Sequence, residues 1–372
     1  MMMKTCRIPL LVGFLLATPF AVAAAGTDLR FPWDNRPEQC FTGTAKSPAC
    51  ELDSWPTIPL AFERLRILWK AEQFALLERA LLELSLATTV YANGYPRYDS
   101  PYTMLSDDVG SQDGPKLERW KAAVPDSLFV TIAASILERK LAWAIRGSGY
   151  APTVNDDAWK LFDGHLQASE SLLLGAPSEA RRLAAWHHAL LTVVLPQRKP
   201  KSDPAKVFAA AVERWPNNYA VYESMAVYTL PKWGGSWPTL EHFIAASSAA
   251  IPNDGDTLYF RLYYRLRNEP RGASLKVTEV GVDYPHLRRS GIELVRRWPT
   301  VHGFKAALTS FACAFQDRQT YLEYVGQLPA TELSSKDWVP GYTYEYCSHW
   351  AQSPSPQTPE GKAKAPPRPD SG

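Results

Sequence analysis

Apolar residues recur at steps of three and four along most of the chain, which is the period of an amphipathic helix. The clearest early run lies between residues 60 and 86. Its apolar positions are Leu60, Leu65, Leu68, Trp69, Phe74, Leu77, Leu81 and Leu84. The pattern weakens at residues 70–72, so we expect a turn there between two helices.

Later runs predict four more helices, whose ends are marked by residues that start or stop helices. The expected spans are residues 127–145, residues 156–174, residues 179–195 and a helix that begins at Asp203 and Pro204. Asp126 is the expected N-cap of the first of these helices, and Gly147 is its expected stop. Asp203 is the expected N-cap of the last, because proline suits the first helical turn that follows a cap.

A pentapeptide of the form Val-x-Arg-Trp-Pro occurs twice, at residues 212–216 and at residues 295–299. Each copy follows one amphipathic run and precedes another. A repeat in this setting is typical of helical hairpins that stack on one another. No low-complexity linker interrupts residues 56–350, so we expect an all-α fold, an irregular α-solenoid of stacked helical hairpins.

The region from residue 203 to residue 328 resembles tetratricopeptide repeats. Pro216, Tyr222, Met225 and Ala226 fall at the spacing with which such repeats end one hairpin and begin the next. The junctions recur at uneven intervals, so the resemblance implies an irregular tetratricopeptide-like array.

Two further segments, residues 142–147 and residues 230–237, resemble a bacterial family that is known only as a domain of unknown function. This resemblance extends over most of residues 55–328. It implies an exported or cytoplasmic helical-repeat protein without an assigned activity. No catalytic residue is therefore carried over from it.

The N-terminus has the pattern of a secretory signal peptide. Lys4 and Arg7 precede an apolar stretch at residues 8–22, which small residues follow. Cleavage after Ala23 and cleavage after Ala25 both satisfy the small-x-small rule. The apolar stretch is shorter than the roughly 20 residues that span a bilayer. We expect an exported protein, periplasmic or secreted, without an integral membrane segment.

Composition divides the chain into four segments. They are a signal peptide at residues 1–25, an irregular cysteine-containing cap at residues 26–55, the helical-repeat domain at residues 56–350, and a Pro-rich tail at residues 351–372. The tail contains mainly prolines, small polar residues and a few charges, which leave little apolar surface to bury. The sequence therefore predicts a disordered tail.

Charge argues against nucleic acid as a partner. The full chain has a formal net charge of +2, and cleavage of the signal peptide removes two cations, which leaves a neutral mature protein. Basic clusters are short and acidic residues lie between them. A nucleic-acid-binding protein needs a larger basic surface.

Four cysteines remain after export, and an oxidising compartment favours their pairing. They are Cys40, Cys50, Cys313 and Cys347. Three pairings are possible. The local one, Cys40 with Cys50 and Cys313 with Cys347, is favoured because the first two flank a short loop and the others bracket the last predicted helices. The chain has no C-x-x-C, so a zinc site is the weaker interpretation.

The candidate binding positions are tryptophans and residues near them in the sequence, since tryptophan and tyrosine are enriched at binding hot spots. The candidates are Trp143, Arg146, Trp233, Gly234, Gly235 and Trp237. Two glycines between two tryptophans would let a peptide backbone approach closely. The favoured interpretation is structural: the glycines form a left-handed turn, and the indoles pack on the helices.

The sequence has no motif of the common serine hydrolases or nucleotide-binding proteins, and we expect no cofactor. His187 and His188 are neighbours on one predicted helix, so they point roughly 100° apart and do not chelate one metal. His165 lies near Asp163 and Glu170 in the sequence, but a solvated helix face is the favoured interpretation. We expect no metal site.

The alternative function is an enzyme that cleaves cell-wall glycan. Glu170 and Glu223 each precede a serine, as the catalytic acid of lytic transglycosylases does, and a buried glutamate with a raised pKa suits a general acid. The other motifs of that family are missing. We therefore favour a non-enzymatic scaffold that binds a protein or peptide partner in the cell envelope, such as an assembly factor or an immunity protein. The sequence does not indicate an oligomeric state.

Overall fold

A computed structural model describes residues 65–353, except for residues 88, 100–112, 252–253, 268, 270–277, 279–280 and 335. Several expectations lie outside these residues. They are the signal peptide, the cap with Cys40 and Cys50, and the tail beyond residue 353.

The described residues form an all-helical structure, as the sequence predicts. The helices are α1 (Phe74–Ser85), α2 (Asp113–Ala123), α3 (Val130–Arg146), α4 (Asp156–Leu174), α5 (Ala184–Val194), α6 (Pro204–Arg214), α7 (Tyr219–Tyr228), α8 (Trp237–Ala250), α9 (Gly255–Leu266), α10 (Tyr284–Arg297), α11 (His302–Ala314), α12 (Arg318–Val325) and α13 (Tyr344–Gln352). Residues 65–70 are also helical. Within the described part of the chain there is no strand, and the β structure is limited to an antiparallel bridge between Val90 and Pro96.

The chain divides into two compact units, Met1–Met225 and Ala226–Gly372, and the division falls inside α7. In the first unit each helix from α1 to α5 packs against the next one, and α3 also packs against α5. In the second unit each helix from α8 to α12 packs against the next one, and α11 also packs against α13. None of the helices that the structure describes combines the length and the hydropathy needed to cross a bilayer.

Several helix ends lie where the sequence places them. The chain turns between residue 70 and α1, and Glu72 takes a left-handed conformation there with φ of 54°. Helix α4 begins and ends at the predicted residues. Asp203 caps α6 by accepting a hydrogen bond from the backbone N–H of Ala205 at 2.9 Å. Gly147 ends α3 with φ of 69°, a conformation that glycine adopts without a steric penalty.

Two predicted helix starts are wrong. Helix α3 begins at Val130, with Phe129 and not Asp126 as its N-cap residue, and the Ser127 hydroxyl accepts from the backbone N–H of Val130 at 2.9 Å. The predicted helix over residues 179–195 is interrupted: a 3-10 turn at Ala180–Arg182 precedes α5. Leu183 takes an extended conformation with ψ of 141°, which stops helical hydrogen bonding between the two.

Both copies of the repeated pentapeptide end a helix with the same backbone conformation. Trp215 ends α6 with φ of −129° and ψ of 68°, and Trp298 ends α10 with φ of −127° and ψ of 68°. Each is followed by a proline, whose ring disfavours the α conformation at the preceding residue. The pentapeptide is therefore a helix stop that returns the chain in the same way twice.

A disulfide between Cys313 and Cys347 joins α11 to α13 in the second unit. This confirms that predicted pairing. The bridge lies in a cluster of buried side chains that includes Ala306, Tyr321 and Trp338. It therefore fixes α13 to a core that apolar contacts already hold.

We expect the Cys313→Ser/Cys347→Ser double variant to lose about 3–4 kcal/mol of unfolding free energy. The bridge closes a loop with a sequence separation of 34, which restricts the unfolded chain. Urea unfolding followed by circular dichroism measures the change. A double variant with the midpoint of the native protein would contradict this account.

Glu78 connects α1 to α2 and to the start of α3. Its Oε1 accepts a hydrogen bond from the Trp120 indole N–H at 2.8 Å and another from the Ser127 hydroxyl. Burial raises the pKa of the Glu78 carboxyl to about 7, although both hydrogen bonds act in the opposite direction. The carboxyl is therefore easier to protonate in the folded protein than in the unfolded chain.

The native protein should accordingly lose stability as the pH rises from 4.5 to about 7, because the unfolded chain releases this proton first. The contribution is on the order of 3 kcal/mol, present below pH 4.5 and lost as the pH passes the raised pKa. The Glu78→Gln variant has no titratable carboxyl at this position. The difference in unfolding free energy between variant and native protein should therefore change over this range in favour of the variant, and a constant difference would rule the effect out.

Candidate functional site

Two tryptophans and two arginines meet where α3 ends and α4 begins. The Arg146 guanidinium carbon lies 5.3 Å from the ring centre of Trp143 and 5.0 Å from that of Trp159. The Arg198 guanidinium carbon lies 5.5 Å from the ring centre of Trp159. These distances are typical of cation–π contacts. We term Trp143, Arg146, Trp159 and Arg198 the Trp–Arg surface.

The two indoles rest on a buried phenylalanine. The Phe162 ring meets both indoles edge to face, with its ring centre 5.0 Å from that of Trp143 and 5.5 Å from that of Trp159. Ala142, Phe162 and Leu166 are fully buried beneath them, whereas both tryptophans remain partly exposed. The buried cluster thus fixes the orientation of the rings and leaves part of each ring in contact with solvent.

Arg146 also shapes the loop that follows α3. Its Nη1 donates hydrogen bonds to the carbonyl oxygens of Gly147 and Gly149, each at 3.2 Å. Beside it, Tyr150 is 65 % exposed, and Ile145 is exposed as well. The surface therefore extends into a loop with a large exposed aromatic residue.

Arg198 comes from the connection between α5 and α6. Its side chain is 60 % exposed and donates to Oδ2 of Asp163 at 2.6 Å. Arg198 and Trp159 are functional candidates that the sequence interpretation missed. Trp159 was part of a predicted helix and Arg198 part of a short basic run, and neither pattern shows that distant segments converge here.

The segment at residues 230–237, in the second unit, has a different environment. The Trp233 ring packs on Tyr228 with ring centres 5.0 Å apart. Lys232 donates to Glu269 at 2.9 Å, which links the segment to the residues after α9. Trp233 is partly buried by these contacts.

The two glycines in this segment are required by the conformation and the packing of its own backbone. Gly234 has φ of 92°, in the left-handed region that glycine favours. A Cβ atom on Gly235 would lie 1.9 Å from the carbonyl oxygen of Thr229, so the chain itself fills that space. Trp237 is the first residue of α8, which the Ser236 hydroxyl caps. This geometry supports the structural interpretation of the glycines.

The predicted binding residues consequently belong to two different units. Trp143 and Arg146 lie in the first unit, whereas Trp233, Gly234, Gly235 and Trp237 lie in the second. A second tryptophan and a second arginine from other segments join the first pair, whereas Trp233 contacts Tyr228 and Lys232.

Glu170 holds the backbone of the connection between α5 and α6. It is fully buried, and its Oε1 accepts from the backbone N–H of Ser202 at 2.7 Å. Its Oε2 accepts from Gln197 Nε2 at 3.0 Å and from the backbone N–H of Lys201 at 3.1 Å. A general acid must direct a proton at its substrate. Both carboxylate oxygens of Glu170 instead accept hydrogen bonds from backbone and side-chain donors within the protein.

Glu223, on α7, belongs to a polar cluster of the first unit. It accepts a hydrogen bond from the Tyr95 hydroxyl. The neighbouring Ser224 Oγ lies 3.2 Å from Nε2 of His188. Burial, and then the nearby Arg139, lower the pKa of His188 to about 4. A serine next to a histidine suggests a nucleophile and its base, but the same burial and the same arginine oppose the imidazolium that such a base must form.

The remaining histidines do not assemble a metal site. His165 Nδ1 pairs with Glu138 at 2.7 Å, whereas Asp163 pairs with Arg198. Burial lowers the pKa of His187 to about 4. Among the residues that the structure describes, no group of three or more histidine, cysteine, aspartate or glutamate side chains is placed to hold a metal ion.

Comparisons of this chain with protein-family models, curated proteins and solved structures found no match. The resemblances to tetratricopeptide repeats and to the domain of unknown function therefore stay predictions. No residue role is transferred to this chain from another protein.

We expect Gly235→Ala to destabilise the protein by about 2 kcal/mol or more, because the added Cβ meets the Thr229 carbonyl oxygen. Gly164→Ala is the matched control. Gly164 is exposed in the middle of α4, with open space around the position of a Cβ, so alanine should stabilise that helix by about 0.5–1 kcal/mol. Thermal unfolding compares the two, and equal stability of Gly235→Ala and the native protein would show that the loop has room for a side chain.

Proposed function

We propose that the protein is an exported helical-repeat scaffold that binds a protein or peptide partner in the cell envelope, without catalytic activity. The Trp–Arg surface is the proposed binding site. One observation carries the proposal: two partly exposed tryptophans are held by a buried phenylalanine and stacked with two arginines from different segments. The proposal of export rests on the signal-peptide pattern in the sequence.

The chemistry of this surface suits a protein partner. Tryptophan and arginine are the residues most enriched at interface hot spots. A guanidinium that is already stacked on a ring loses less freedom on binding than a free side chain does. Arg198 is also exposed enough to donate to a carboxylate or a carbonyl oxygen of a partner.

The proposed architecture is an irregular, tetratricopeptide-like α-solenoid of stacked hairpins. Three features support it. Sequential helices pack on one another, α3 packs on α5 and α11 packs on α13, and the two Trp-Pro helix stops share one conformation. A scaffold of this kind offers long surfaces for a partner.

The alternative, a glycan-cleaving enzyme, is less well supported. Glu170 has its two oxygens satisfied inside the protein, as a structural anchor would. Glu223 accepts a hydrogen bond from Tyr95. The environment of each glutamate is accounted for without a substrate.

We expect the mature protein to retain a discrete partner from envelope extract, and Trp143→Ala and Trp159→Ala each to weaken binding about thirtyfold, the effect of losing a hot-spot side chain. Leu322→Ala is the matched control, since Leu322 is a 55 % exposed apolar residue of α12, in the other unit. Affinity capture with mass spectrometry identifies the partner. Circular dichroism establishes that the variants are folded.

Two results would overturn the proposal. A partner that is lost with Trp233→Ala but kept with Trp143→Ala would move the binding site to residues 230–237. Release of fragments from cell-wall sacculi that Glu223→Gln or Glu170→Gln abolishes would establish the enzyme instead.

A further inference from the structure

An arginine holds the same position in both copies of the repeated pentapeptide. Arg214 and Arg297 each directly precede the tryptophan that ends a helix, α6 in the first unit and α10 in the second. Helix α6 packs against α5, and α10 packs against α9. The two arginines therefore occupy comparable places in two pairs of packed helices.

In the second unit a carboxylate of the chain itself meets this arginine at the start of a helix. Asp254 is the N-cap residue of α9, and its side chain is only 12 % exposed. Its Oδ1 accepts hydrogen bonds from Arg297 Nη1 at 2.7 Å and from Thr257 Oγ1 at 2.6 Å. Negative charge is favourable at this end of a helix, because unpaired backbone N–H groups point towards it. The arginine and the helix start thus share one oxyanion.

In the first unit the corresponding place lacks a carboxylate among the residues that the structure describes. Leu183, which has no acidic group, is the N-cap residue of α5. Arg214 lies at this helix start, because its Nε donates to the carbonyl oxygen of Arg182 at 3.2 Å. Within the described part of the chain Arg214 forms no ion pair. Burial, and then the charge of Arg182, lower the pKa of Arg214, so a negative charge beside its guanidinium would be stabilising.

The start of α5 offers further hydrogen-bond donors. The backbone N–H groups of Ala184 and Ala185 have no hydrogen-bond partner among the described residues. His187, in the first turn, is only 8 % exposed, and its ring likewise forms no hydrogen bond with the described part of the chain. A helical side chain leans towards the N-terminus of its helix, which directs this imidazole to the same end. Buried donors without a partner are unfavourable, so the site is suited to an acceptor.

An acidic residue of the neighbouring 3-10 turn does not fill this place. Glu179 accepts a hydrogen bond from the Ser178 hydroxyl at 2.9 Å. Its own backbone N–H and Ser178 lower the pKa of Glu179 most, and Arg182 contributes less. Glu179 is therefore satisfied within its own segment and leaves Arg214 without a carboxylate.

We propose that Arg214, His187 and the first N–H groups of α5 form a binding site for an oxyanion that a ligand supplies, which we term the α5 anion site. The ligand group is a carboxylate, as Asp254 is in the second unit, or a phosphate of similar geometry. Arg214 neutralises its charge, and the N–H groups of Ala184 and Ala185 donate to its oxygens. Ala185 and Arg214 are partly exposed, so the ligand reaches the site from solvent.

The inference goes beyond the proposed function, because the α5 anion site uses none of the residues of the Trp–Arg surface. It also accounts for a difference between the two copies of the pentapeptide. The second copy has an internal carboxylate for its arginine, and the first copy takes one from outside the chain.

Thermal unfolding of the full mature chain tests the site with two probes, inorganic phosphate and acetate, each compared with chloride at the same ionic strength. We expect at least one of them, at about 20 mM, to raise the unfolding midpoint by about 2–4 °C, because a ligand that binds only the folded state stabilises it. Arg214→Gln should lose this shift. Arg297→Gln is the matched control and should keep it, since Asp254 already occupies the place beside Arg297.

The two probes distinguish the sources of the oxyanion: a larger shift with acetate identifies a carboxylate ligand, and a larger shift with phosphate identifies a phosphate. The proposal is wrong if neither anion raises the midpoint of the native protein above that in chloride, or if Arg214→Gln keeps the shift. The second outcome would show general stabilisation by the salt.

Hydrogen exchange on the native protein provides a second measurement, which does not depend on the folding of any variant. The more effective anion should slow exchange of the amides at residues 184 and 185, which would then donate to its oxygens. Unchanged exchange at these two amides would overturn the proposal. Neither measurement involves an envelope partner, so a failure here is distinguishable from a failure of the proposed function.

Discussion

Within each unit, the described helices from α1 to α6 and from α8 to α13 pack against their neighbours in sequence, and this requires each helix to end where the next one can return. The Trp-Pro pairs at residues 215–216 and 298–299 show how the sequence sets that point. Proline holds the preceding tryptophan out of the α conformation, so helix growth stops at the same backbone geometry in both places. The indole of Trp215 is buried as well. Trp215 therefore ends a helix and is itself part of the buried core, where its ring contacts Tyr98.

Buried and partly buried carboxylates connect segments within each unit by accepting hydrogen bonds. Glu78 accepts from Trp120 of α2 and from Ser127 before α3, Glu170 accepts from two backbone N–H groups, and Glu241 accepts from the hydroxyls of Tyr259 and Tyr263. Each carboxylate satisfies donors that would otherwise be buried without a partner, which is costly. Catalytic glutamates need an environment that leaves a proton available to a ligand. The hydrogen bonds of Glu78, Glu170 and Glu241 explain these three residues as structural ones.

Helical periodicity predicted local structure well, because the helical class, both ends of α4, the cap at Asp203 and the stop at Gly147 depend on neighbouring residues. It failed at the start of α3, which begins at Val130 and not at Ser127. The Ser127 hydroxyl bonds Glu78 of α1 there, a tertiary contact that neighbouring residues do not reveal. For the same reason the sequence predicted only half of the Trp–Arg surface, Trp143 and Arg146. Its α3 members lie in one short segment, but their partners come from segments that only the folded chain brings together.

We propose that a partner binds at the Trp–Arg surface, and site-specific photocrosslinking tests this most directly. A photoreactive residue at Tyr150, which is 65 % exposed beside Arg146, would be compared in living cells with one at Leu322, which is 55 % exposed in the other unit. We expect a discrete crosslinked protein from Tyr150 and none from Leu322. Crosslinks from Leu322 alone, or the same products from both positions, would contradict a binding site at the end of α3.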